Sequence, residues 1–260
     1  LYYKFVILEK NDWLYRHIDL NGRPQPEAGA GYFHAEPGAP VRRLHEYYLR
    51  YLTARWGYST SVHSWEAVNE NAPGDPVHMA FVNDLAAYTQ AIDPNQHMFT
   101  TSFWCCGIGD IYDLWNDLRF PLIDYGDIHA YAGNGGEVNH SDWLPFSPET
   151  FFDTASWLQA HTDSVREQRY RFPIVVGEMG LTDQENELDS LALDTQGIWL
   201  HNLAWAWLYD GRLSVLYWYG DNIRQHELFD VFRPVRAFLD GIPLSSGFYQ
   251  DAQASVSNPN

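Results

Sequence analysis

The chain has almost no cysteine. Two occur in 260 residues, adjacent at Cys105 and Cys106, so neither a disulfide framework nor a zinc cluster can be assembled from them. Bridging neighbouring cysteines needs a strained turn, and two free buried thiols are expected. Basic residues are also scarce. Sixteen Lys and Arg stand against 34 Asp and Glu, a formal net charge of −18. Proteins grip a phosphate backbone through clustered Lys and Arg, and no such cluster exists, so a nucleic-acid partner is not expected. Anionic membrane surfaces are disfavoured on the same ground. Long hydrophobic runs are missing as well: no stretch of about 20 apolar residues is present to span a bilayer. Nor is there a short regular repeat of the solenoid kind.

What is abundant is aromatic. Phe, Trp and Tyr make up 16% of the chain, with 11 Trp and 17 Tyr, within a hydrophobic share of 45%. That is enough to bury a sizeable core. Aromatic rings also offer flat faces, which a groove for sugars would use for stacking. Short apolar runs alternate with longer amphipathic ones. Strands are predicted at Tyr2–Leu8, Ser61–Val68, Met98–Phe103, Ile123–Ala130, Ile174–Gly177 and Leu213–Trp218. Between them, helices are predicted at Val41–Trp56, Asp75–Ile92, Ile108–Asp117, Ser147–Ser164, Leu191–Leu208 and His226–Phe238. The second of these stops at Asp93-Pro94, and Asn21–Pro40 reads as a long loop. Strand-then-helix units repeated in this way predict an α/β fold with a parallel sheet and helices outside it.

In parallel barrels the functional side chains lie at the C-terminal ends of the strands. The second strand runs into Asn69-Glu70, within Trp65-Glu66-Ala67-Val68-Asn69-Glu70-Asn71. The fifth runs into Glu178, within Pro173-Ile174-Val175-Val176-Gly177-Glu178-Met179-Gly180, where an acid directly after four buried positions is costly unless paired or functional. The fourth ends in His129-Ala130-Tyr131, with His and Tyr on one face two residues apart. The last ends in Tyr217-Trp218-Tyr219. Two carboxylates, a His, a Tyr and a Trp therefore converge on one rim. Taken singly, Asn-Glu is a common dipeptide, Glu178 reads equally as a capping or ion-paired carboxylate, and His129 as a satisfied core histidine. Together they fit glycoside hydrolysis, in which one carboxyl protonates the leaving oxygen and the other attacks or activates water.

At these residues the chain resembles clan A of the glycoside hydrolases, the retaining (β/α)8-barrel (TIM-barrel) enzymes that include cellulases, mannanases and β-glycosidases. The Trp65-Glu66-x-x-Asn69-Glu70 pattern and the Pro173–Gly180 stretch carry the likeness. The resemblance implies Glu70 as acid/base after strand four and Glu178 as nucleophile after strand seven. It implies substrate contacts from Asn69, from the strand-six pair His129 and Tyr131, and from the strand-eight Trp218, stacked under the sugar. Trp13 and Trp104 are further stacking candidates, although for each of them a plain structural role is as good an account. The resemblance spans residues 1–243 as strands three to eight, so the first two strand–helix units, with the Arg that supports the nucleophile, are expected upstream. Residues 244–260 read as a polar tail or as a linker to a further C-terminal module.

No metal and no cofactor are expected. A metal-dependent barrel hydrolase would want His-x-His after its first strand, a pair that His129-x-Tyr131 is not. The expected substrate is a β-linked poly- or oligosaccharide, cut in an endo fashion by β-1,4-glucanase or mannanase chemistry, because several aromatics could line an extended groove. An exo-acting β-glycosidase of the same clan and a non-catalytic carbohydrate-binding barrel are the alternatives. Secretion is expected from the substrate class alone.

Overall fold

The computed structural model describes residues 3–9, 17–24, 35–70, 76–102, 122–133, 155, 173–182, 194–206, 208, 215–217 and 220–243. Strand β1 (Tyr3–Glu9) leads to helix α1 (Pro40–Trp56), β2 (Val62–Asn69), α2 (Pro76–Ile92) and β3 (Met98–Thr100). Then follow β4 (Gly126–Gly133), β5 (Ile174–Thr182), α3 (Ile198–Ala206), β6 (Val215–Tyr217), α4 (Gly220–Gln225), a 3-10 turn (Leu228–Val231) and α5 (Phe232–Leu239). The predicted helices Ile108–Asp117 and Ser147–Ser164 fall largely outside the described residues.

Every strand pair is parallel, and each strand lies beside its neighbour in sequence. Two three-stranded sheets, β1-β2-β3 and β4-β5-β6, result. A single parallel bridge from Ser102 to Asp127 joins them. The expected strand count is therefore met, with the bridge standing where continuous pairing was expected. Among the described residues no pairing links β6 back to β1, so a closed barrel is not seen.

The alternation of β2 explains both sides of the sheet. Trp65 and Ala67 point one way, to the helices, and both are buried. There Trp65 stacks on Phe5 at 5.5 Å between ring centroids and pairs in register with Phe99. Leu49 and Leu52 of α1 and Met79, Phe81, Val82 and Leu85 of α2 complete this apolar layer. The end of α2 is fastened to it from below. Asp93 accepts hydrogen bonds from Trp65 Nε1 (2.9 Å), from the Asn95 N–H (3.0 Å) and from the His97 ring (2.7 Å). Burial alone would raise the Asp93 pKa, but these donors hold it below the ordinary carboxylate value.

Glu66 and Val68 point the other way, to the concave side. That side is curled. Three strand spacings in a flat sheet would separate β1 from β4 by about 14 Å, yet Lys4 Nζ lies 2.5 Å from Asp127 Oδ2 and 2.6 Å from Glu66 Oε2. The strands therefore wrap round an axis, and a buried charge cluster sits on it.

Candidate active site

Three side chains meet at the C-terminal end of this concave face. His129 Nδ1 is 2.8 Å from Glu70 Oε1 and 3.3 Å from Glu178 Oε2. One oxygen of each glutamate and a ring nitrogen of His129 all lie within 4.8 Å of one another. Retaining glycosidases hold their two carboxyl groups about 5–5.5 Å apart, and inverting ones leave room for a water between them.

Each member is brought there by a separate local device. Glu70 follows β2 directly, and its carboxyl reaches His129 on the face that Glu66 lines. Its backbone adopts φ 52°, the left-handed region, and its N–H donates to Ser102 Oγ at 3.0 Å. His129 stands inside β4, two residues after Asp127, so both face the axis. Glu178 reaches that face through a β-bulge. Ile128 pairs with Val176 but His129 pairs with Glu178, so Gly177 is the extra residue. Without the bulge Glu178 would point to the opposite face, because a one-residue slip inverts a strand.

His129 is enclosed by acid. Burial alone would lower its pKa, but the hydrogen bond to Glu70 and the charges of Asp127, Glu178 and Glu66 together raise it above the ordinary value. Its Nε2 faces Asp127 Oδ1 at 3.9 Å. Beneath it, Glu66 is pushed up chiefly by burial, against the pull of Lys4. Lys4 would be lowered by burial, yet Asp127 and Glu66 carry it well above the usual lysine value. Two groups, Glu66 with Asp127 and His129, and Glu70 with His129 and Glu178, are compact enough to enclose an ion. In the first, the Lys4 ammonium already sits against both carboxylates, so a metal has no room there. In the second, His129 Nδ1 lies within reach of an oxygen of each glutamate.

Of the residues singled out in the sequence, Glu70, Glu178 and His129 come together. Asn69 pairs with Glu9 across β1 and β2, and its Oδ1 lies 3.5 Å from Ser102 Oγ. Tyr131 pairs with Gly180 in the β4–β5 ladder, and its side chain lies outside the described residues. So do Trp13, Trp104, Trp218, Cys105 and Cys106. One expectation needs correction. Glu178 does not follow its strand but lies within it, because β5 runs on to Thr182, while His129 lies in its strand as expected, with β4 running on to Gly133. Lys4, Glu66, Ser102 and Asp127 were not singled out as site residues. The signal was there: Glu66 and Asp127 are carboxylates inside apolar strands, as costly unpaired as Glu178.

The α/β arrangement of sequential parallel strands is shared, as a likeness of fold, with solved TIM-barrel structures. Ruminococcus gnavus β-glucuronidase in complex with uronic isofagomine superposes with a TM-score of 0.51 at 15% identity, over 74% of this chain and 31% of that one. In sequence, the chain is similar to a probable mannan endo-1,4-β-mannosidase A-2 of Aspergillus terreus, at 23% identity over 214 residues. That match covers 75% of this chain and 50% of the relative, so the chain spans about half the length of this curated relative. No family model matches.

Proposed function

We propose that this chain carries the active site of a retaining glycoside hydrolase that cuts β-1,4-linked polysaccharide, a mannan in the first place. One observation carries the reading: Glu70 and Glu178, with His129 between them, approach within 4.8 Å. Glu178 attacks the anomeric carbon while Glu70 gives its proton to the departing glycosidic oxygen. A glycosyl ester on Glu178 results. Glu70, now a carboxylate, takes a proton from water, the water oxygen bonds to the anomeric carbon, and the ester bond breaks. His129 donates Nδ1–H toward both carboxylates and stabilises whichever of them bears the charge at each stage.

In this reading the six strands are strands three to eight of a (β/α)8 barrel. The outer edge of β1, which among the described residues pairs only with β2, is the side on which two earlier strands would pack. Residues 1–243 are then the barrel part, 244–260 a linker, and the polymeric substrate places the enzyme outside the cell. The mannan preference is drawn from the mannosidase relative, with β-1,4-glucan as the comparison substrate.

The test is hydrolysis of soluble β-1,4-mannan and carboxymethyl cellulose, with the first-formed anomer read by proton NMR. The β anomer appears first if the reading holds. Glu178→Ala lowers kcat by several orders of magnitude, roughly 10⁴-fold or more. An α anomer formed first, or full activity in Glu178→Ala, refutes the assignment.

A further inference from the structure

Glu70 occupies φ 52°, a conformation that is costly for a residue with a Cβ and persists only where its surroundings impose it. The imposing group is on the neighbouring chain segment. The Glu70 N–H donates to Ser102 Oγ at 3.0 Å. That buried hydroxyl donates in turn to Glu66 Oε1 at 2.5 Å, and Glu66 Oε2 is held from its other side by Lys4 Nζ at 2.6 Å. A hydroxyl has one proton. Because that proton is committed to an acceptor already gripped by the Lys4 ammonium, the oxygen keeps its lone pairs for the Glu70 N–H, and the direction of the chain is fixed. The competing acceptor, Asn69 Oδ1, is 3.5 Å away and uncharged.

We propose that Ser102 is a positioning residue for Glu70: anchored by Glu66 and Lys4, its hydroxyl holds the left-handed backbone that aims the Glu70 carboxyl at His129 and at the leaving oxygen. This rests on the reading of Glu70 as the acid/base. Ser102 touches neither substrate nor reacting atom. Its bridge partner is Asp127, so the same residue joins the two sheets at the point where their catalytic glutamates face each other. A purely structural serine would, when lost, slow every substrate alike. A serine that aims the general acid matters in proportion to how badly the leaving group needs a proton.

The experiment compares wild type, Ser102→Ala and Ser102→Thr on 2,4-dinitrophenyl and phenyl β-mannobioside, reading kcat/KM, which reports the first displacement. With Ser102→Ala the phenyl substrate loses roughly ten- to a hundredfold while the dinitrophenyl substrate, which needs no acid, stays within about threefold. Ser102→Thr, which keeps the hydroxyl, recovers most of the phenyl activity. The second reading needs no turnover. In protein labelled with ¹⁵N-histidine, the His129 Nδ1 resonance, assigned by its loss in His129→Gln, moves in Ser102→Ala in the direction that Glu70→Gln moves it. If wild type cleaves neither glycoside, the acid/base reading fails and the His129 resonance alone decides the positioning role. Equal losses on both glycosides, or a His129 resonance unmoved in Ser102→Ala, overturn the proposal. Should Ser102→Ala not fold, Ser102→Cys, which weakens both hydrogen bonds at similar volume, takes its place.

Discussion

Gly177 has no side chain because there is no space for one: a Cβ there would sit 1.9 Å from Asp127 Oδ1 and 2.6 Å from its Cγ. The carboxylate cannot swing aside, since Lys4 holds its other oxygen at 2.5 Å. Gly177→Ala therefore undoes the bulge or breaks the ion pair, and either way Glu178 leaves the face it shares with His129. Overpacking of this kind costs about 1–3 kcal/mol of stability, read by urea unfolding, and kcat/KM should fall at least a hundredfold in the same variant. A stable variant with unchanged kcat/KM would show that Glu178 does not depend on the bulge. His129 gives a second residue-scale expectation. Its folded pKa is raised, so its contribution to stability is complete below the ordinary value of 6.5 and disappears as pH rises through the raised one. His129→Gln should accordingly destabilise more at pH 5.5 than at pH 9, as thermal unfolding at the two pH values would show; a gap that widens toward pH 9 contradicts the raised pKa. At this scale the sequence was half legible. Glu178 stood out as an acid after buried positions, but the bulge that turns it inward depends on the partner strand and has no local mark beyond one glycine.

Helical elements were the most readable, because their apolar spacing and stop signals are local. Val41–Trp56 and Asp75–Ile92 were expected, and Pro40–Trp56 and Pro76–Ile92 are found, with Asp93-Pro94 closing the second. The C-terminal stretch was not. One helix over His226–Phe238 was expected, but Glu227 turns left-handed at φ 54° and separates α4 from the 3-10 turn and α5. A left-handed glutamate is not announced by residue type, and Pro234 fits the first turn of α5 equally well. The fourth strand was expected from Ile123, which is buried but precedes β4, an instance of burial mistaken for strand. Element docking also carries a pH signature. His78 of α2 is buried against β3, its ring 3.3 Å from Thr101 Oγ1, and burial pushes its pKa down to about 3. Between pH 6.5 and 3 the unfolded chain binds a proton that the folded one refuses, so stability falls as pH drops, by up to about 1.4 kcal/mol per pH unit. Urea midpoints measured from pH 6.5 to 4 should fall less steeply in His78→Gln than in wild type; parallel curves would mean that His78 is protonated in the fold.

The molecule as a whole is organised round a charge cluster that no single element reveals. Tyr2–Leu8 reads as an apolar strand, and Lys4 within it looks incidental. Its partner Asp127 is 123 positions away, and only the curl of the sheet brings β1 over β4. Sequential parallel strands were legible from the alternation of elements. What lies on the axis they wrap was not, because cross-axis neighbours are set by curvature rather than by adjacency. The cluster is also what makes the curl consequential for the site: Lys4 neutralises Glu66, which anchors Ser102, and Asp127, which faces His129. Lys4→Met keeps most of the volume and removes the cation, leaving two carboxylates buried without their counter-ion. Breaking such a pair costs about 3–5 kcal/mol, and the loss should be largest at neutral pH, shrinking as acid neutralises Glu66, whose pKa burial already raises. At the alkaline end the sign reverses. The lysine contribution is complete below 10.5, its unfolded value, and declines above it as the unfolded chain alone releases its proton, so the cost of Lys4→Met should be slightly smaller at pH 11 than at pH 7. Guanidinium unfolding at pH 5, 7 and 11 measures all three points. If instead Lys4→Met costs the same at each pH, or nothing at any, then packing rather than charge holds the strands round their axis, and the link from Lys4 to Glu70 and Glu178 is broken at its first step.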